Sequence, residues 1–138
     1  MPDAPELVLR RSLAALLDTH GLAVYAPTGQ IPELGVKTDG VLPTTVDECT
    51  VLSSPPTTDD GGPANIQYRV QFFTRRKGGL IPVEKWADDV QAVLHHHEYT
   101  PPILGISWAT ETSRAYFDPD SQGRSAVAVT YAFRGRRP

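Results

Sequence analysis

The chain has one cysteine, and no apolar run in it approaches the roughly 20 residues needed to cross a bilayer. Cys49 therefore has no intrachain disulfide partner, which fits a reducing cytosol or an assembly built there. The opening Met1-Pro2-Asp3-Ala4-Pro5 lacks the basic start of a secretory signal, so the protein is expected to stay soluble where it is made. Basic charge is also in short supply: 13 Lys and Arg against 16 Asp and Glu give a net charge of −3, not the excess of a general nucleic-acid binder. Hydrophobic content of 40% is too high for a disordered chain. What the sequence does have is length for one domain, 138 residues able to bury roughly 70% of their unfolded surface, and 13 prolines that predict many stiff loops.

Apolar spacing predicts a helix, three strands, a helix and two strands. From Pro5 to Thr19, Leu9, Leu13, Leu16 and Leu17 recur on one helical face, and Gly21 supplies a left-handed stop. Leu22 to Tyr25 reads as a short strand, followed by a long irregular section, 26–63, in which Cys49 to Ser53 is the second strand. Three prolines and two glycines between Pro55 and Pro63 predict an exposed, projecting loop with Asp59 and Asp60 near its tip. In Asn65 to Thr74, Ile66, Tyr68, Val70 and Phe72 alternate with Gln67, Arg69 and Gln71, the signature of a strand with one buried face. Pro82 is placed to open a second helix whose Val83, Trp86, Ala87, Val90, Val93 and Leu94 form one stripe, with Asp88 and Asp89 outside it. The last strand sets Val127, Val129, Tyr131 and Phe133 against Ala126, Ala128, Thr130 and Ala132, small residues that suit close approach of a helix or a neighbouring subunit. Together these elements predict a single-domain α+β fold, a sheet of about five strands with two helices packed on one face.

Candidate chemistry is sparse. His95, His96 and His97 are adjacent, so on a helix they point about 100° apart and do not converge on a metal; they read as imidazoles at a helix C-terminus. Asp118-Pro119-Asp120-Ser121-Gln122-Gly123 has the acids of a calcium loop, but the twelfth position from Asp118 is Val129 in place of a bidentate glutamate, which favours a turn. Asp88 and Asp89 diverge on their helix and read as a solvated face. Cys49 follows Glu48, a neighbour that disfavours the thiolate, and is expected to be inert. Gly61-Gly62 and Gly78-Gly79 lack the lysine and spacing of a phosphate-binding loop. No cofactor, metal or catalytic residue is predicted.

Charge is unevenly spread. Between Gln30 and Asn65 there are six acids and one base, while beyond Asp120 there are four arginines, Arg124, Arg134, Arg136 and Arg137, and no acid. Arg69, Arg75, Arg76 and Lys77 make a second basic stretch. A solvated surface accounts for such a pattern; so do complementary surfaces between subunits, or acids lining a passage that DNA crosses without sticking. Arg75 and Arg76 end a strand and Arg124 begins one, so each is expected to be held rigidly at a rim, affecting association more than folding.

The apolar run Ile103 to Trp108, then Ser113-Arg114-Ala115-Tyr116, then Asp118 to Arg124 and the closing strand Ala126 to Phe133 follow a strand ending in Arg75-Arg76 and the Trp86 helix. This arrangement, with Asp120 three residues before Gly123-Arg124, resembles the tail terminator (minor capsid) proteins of long-tailed bacteriophages. The resemblance implies a non-enzymatic protein of the virion, made in the host cytoplasm and placed at the head-proximal end of the tail. It would form a hexameric ring that caps the tail tube, stops addition of tube subunits and meets the head-tail connector, with DNA passing through the lumen and no membrane contact. Its candidate assembly residues here are Asp59, Asp60, Arg75, Arg76, Asp120 and Arg124. Other readings are a phage neck or head-completion protein, and a small cytosolic enzyme or ligand-binding domain, which would require a pocket with converging, perturbed groups.

Overall fold

A computed structural model describes residues 4–55 and 65–136, in the order α1 (Pro5–Thr19), β1 (Gly35–Lys37), β2 (Cys49–Ser53), β3 (Asn65–Lys77), α2 (Leu80–Leu94), β4 (Trp108–Phe117) and β5 (Arg124–Arg136). The strands form one mixed sheet in the order β1-β2-β3-β5-β4. β1 runs parallel to β2, and every other pairing is antiparallel. β3 and β5 pair along 13 residues each, a ribbon of about 43 Å. The predicted α+β class and element order are those of the structure.

The period-2 and period-3.6 patterns explain why the layers meet. Tyr68, Val70 and Phe72 of β3 and Val127, Val129, Tyr131 and Phe133 of β5 share one face of the sheet. That face buries Leu9, Leu13 and Leu17 of α1 and Val83, Trp86, Val90 and Leu94 of α2 in one core. Pro5 at the start of α1 sacrifices no hydrogen bond there, and Arg10 ties the helix to the sheet edge through Thr38 O and Ser54 Oγ, both at 2.7 Å. Gly78 and Gly79, with φ of 96° and 89°, turn the chain from β3 into α2, a conformation that side chains oppose.

Element boundaries differ from the sequence reading in several places. Leu22 to Tyr25 is not a strand: only Val24 makes a bridge, to Gly35, because the Leu22 carbonyl is engaged by Trp86 Nε1 at 2.8 Å and by Arg76. The first strand is instead Gly35–Lys37, inside the section predicted to be irregular. The apolar run from Ile103, for which the sequence set no strand boundary, turns at Leu104 and Gly105, both at positive φ, and β4 begins at Trp108. α2 starts at Leu80, two residues before Pro82.

Candidate assembly interface

Arg75 and Arg76 are not a rim. Each is 7% exposed, and the two point to opposite sides of β3. Arg75 donates to the carbonyls of Asp47 (2.9 Å), Val46 (2.8 Å) and Pro43 (3.4 Å), holding the 43–47 section over the β2 end of the helix-free face. Arg76, on the helix side, donates to the carbonyls of Cys49, Arg75 and Leu22 and sits 6.0 Å from the Trp86 ring centroid. The expectation of exposed, fold-neutral arginines is therefore corrected. A sequence shows the charges, but not that loop carbonyls wrap them.

Asp120 and Arg124 build the β4–β5 turn. The Asp120 carboxylate accepts from the amides of Gln122 (2.9 Å) and Arg124 (3.0 Å) and from Arg124 Nε (2.8 Å), while Gly123 takes φ of 73°. The Arg124 amide first, then the other donors, hold Asp120 below its usual carboxylate range. Arg124 continues to Asp47 at 3.3 Å, and Lys77 reaches the same carboxylate at 3.5 Å. Arg75, Asp120 and Arg124 are thus brought to one end of the sheet around the 43–47 section, with Glu33 accepting the amides of Asp47 and Glu48 at 3.1 Å. Asp59 and Asp60, and the projecting loop predicted around them, lie outside the described residues.

Sequence reasoning missed two clusters. On the helix side of β4, Arg114 bridges Glu111 (2.9 Å) and Asp88 (2.8 Å) and donates to Tyr116 Oη. Against burial, its hydrogen bonds to Asp88, Tyr116 and Glu111 raise the guanidinium pKa. The second cluster is a ring stack: His95 and His96 lie 3.7 Å apart, His96 lies 5.2 Å from Trp108, and His95 Nδ1 accepts the Glu111 amide. α2 ends before the histidines, which dock it to β4. The contact joins residues 12 positions apart across a turn, which periodicity does not reveal.

Tyr131 lies beneath this network, and burial, reinforced by Glu111, pushes its phenol well above the ordinary value. An unfolded tyrosine ionises near pH 10 while the folded one stays protonated, so its contribution to stability is intact below about pH 10 and is lost as pH rises above it. Tyr131→Phe should therefore lose less melting temperature than the parent between about pH 9 and about pH 11. Equal losses in a melting series would place Tyr131 in a solvated setting.

The helix-free face of the sheet spans β4, β5 and β3. In register across β4, β5 and β3 it presents Trp108–Arg134–Gln67, Thr110–Ala132–Arg69, Ser113–Thr130–Gln71, Ala115–Ala128–Phe73 and Phe117–Ala126–Arg75. No described helix covers it. Ala126, Ala128 and Ala132 are each 6% exposed in a trough between taller neighbours, with Phe73 and Phe117 meeting at 5.8 Å. A solvated antiparallel face alternates to polar side chains; this one carries alanines, Phe117 at 48% exposed and Trp108 at 39%. No carboxylate occupies an outward strand position on it. Cys49, at its far edge, is buried, and burial first of all raises its thiol pKa. No described helix is long and apolar enough to cross a membrane. No protein-family model matches the chain, and no curated protein matches it.

Proposed function

We propose that this chain is a structural, non-enzymatic protein of a long-tailed phage virion, a tail terminator that closes into a hexameric ring. In this reading the ring caps the tail tube, ends its growth and joins it to the head connector, while DNA passes through the lumen. The carrying observation is the helix-free sheet face, whose alanine trough lies under no described helix and whose Phe117 and Trp108 remain 48% and 39% exposed. A second copy is the partner whose charge fits: the face has no strand carboxylate, whereas the section from Gln30 to Asn65 carries six acids and one base. A face meeting a different surface of its neighbour is a heterologous contact, and such contacts close into rings when the rotation permits. Termination then needs no catalysis, only one ring surface that mimics the next tube layer and another that does not.

The test is size-exclusion chromatography with light scattering on the parent and on Ala115→Arg. Ala115 is exposed on the helix-free face of β4, so the substitution should change stability by less than about 0.5 kcal/mol. The expected results are a hexamer for the parent and a folded monomer for the variant. A parent that stays monomeric at high concentration argues against the ring, and a hexameric Ala115→Arg moves the contact to another surface.

A further inference from the structure

Beside the start of α2 lies an open cleft of about 430 Å³, formed by Leu22, Val24, Leu34, Pro82, Trp86 and Arg76. Three features set it apart from ordinary surface. Val24 and Leu34 are 43% and 40% exposed, and Ile81, one turn before Lys85 on the rim, is 77% exposed, so apolar surface continues outward from the cavity. Leu34 holds φ of 63°, a left-handed conformation costly for a branched side chain, fixed here by its amide on Glu48 O (2.8 Å) and its carbonyl on the Val24 amide (2.9 Å). Arg76 is a buried guanidinium that donates to three backbone carbonyls at 3.2–3.4 Å.

Among the described residues Arg76 has no ion pair. Its pKa is lowered, first by burial, with Glu48 and Cys49 offsetting only part of that effect. A buried charge held by long, neutral acceptors is under-compensated and favours an anion. The two acids that border the cleft are already engaged, Asp18 by the Tyr25 amide at 3.0 Å and Asp89 by Lys85 at 2.8 Å, so they do not fill this role.

We propose that this cleft is a docking site for a segment of another protein that presents a leucine-sized apolar side chain beside a carboxylate, the side chain against Trp86 and Leu34 and the carboxylate at Arg76. Apolar contact supplies area, and the charged pair selects the partner. The site is independent of ring formation: it lies on the helix side of the sheet, away from the alanine trough.

Trp108→Phe leaves Trp86 as the only indole in the chain and makes its emission a reporter of the cleft. That protein is titrated with N-acetyl-leucine, with N-acetyl-leucinamide and with the capped peptide acetyl-Gly-Leu-Asp-Gly-amide. N-acetyl-leucine and the peptide are expected to give saturable changes, the peptide binding at least as tightly, while the neutral amide binds about tenfold more weakly because it lacks the charge-assisted contact. Adding Arg76→Gln should abolish the preference for the carboxylate. Because that variant can fail to fold, Leu34→Gly is measured as well: glycine accepts the positive φ, so the fold is kept, and lost wall area should weaken N-acetyl-leucine and the peptide by about fivefold. Equal affinity for acid and amide, no saturable change below about 50 mM, a weak-fragment limit, or full affinity in Leu34→Gly overturns the proposal. Binding of N-acetyl-leucine with exclusion of the peptide overturns it too, making the cleft a site for small carboxylates.

Discussion

Arg75→Glu with Arg76→Glu is expected to yield no folded protein, and hence no interpretable assembly phenotype. Each arginine spends its donors on three backbone carbonyls inside the protein. A hydrogen bond to a charged donor is worth about 1.5–3 kcal/mol, and losing Arg75 takes that donor from the buried Val46 and Pro43 carbonyls. Glutamate adds an acceptor where acceptors already crowd, so each reversal should cost at least about 3 kcal/mol. Together, at about 6 kcal/mol or more, they exceed the lower end of the roughly 5–15 kcal/mol that stabilises a domain. Circular dichroism and urea unfolding are the measurements. A cooperative melt within a few degrees of the parent would mean that both side chains are free at a rim, as the sequence suggests.

This contrast shows where sequence reasoning stops. The stripes of α1 and α2 and the alternation in β3 and β5 are legible because each repeats at the period of its own element and one side faces a core. The Asp120 turn is legible for the same local reason, a short polar run ending in a glycine that must take positive φ. β1 is not: Gly35-Val36-Lys37 is too short to show a period and depends on Val24, Glu33 and β2 for its place. Burial of Arg75 and Arg76 is equally non-local, because the 43–47 carbonyls and the Leu22 carbonyl that receive them lie more than 25 residues away in the chain. The alanine side of β5 could be read as a surface for close approach, but only the topology shows that both helices lie on the other side.

Trp86→Ala is expected to cost about 3–5 kcal/mol, the range for removing a large buried aromatic. Trp86 is 5% exposed in the centre of the α2 stripe, and its indole N–H is the 2.8 Å donor to the Leu22 carbonyl. Its removal therefore opens a cavity between α2 and the sheet, leaves that carbonyl with only the long Arg76 contact, and strips the ring from beside a buried guanidinium. Asp88, two residues on, provides the control: its carboxylate meets Arg114 at 2.8 Å, but its side chain is 69% exposed, so Asp88→Ala should cost less than about 1 kcal/mol. Chemical unfolding followed by circular dichroism measures both variants without relying on the lost fluorophore. If the two costs were similar, burial along α2 would not be what secures the helix to the sheet. The Arg114 network with Glu111 and Asp88 would then have to hold that layer, and Arg114→Ala would become the more damaging change.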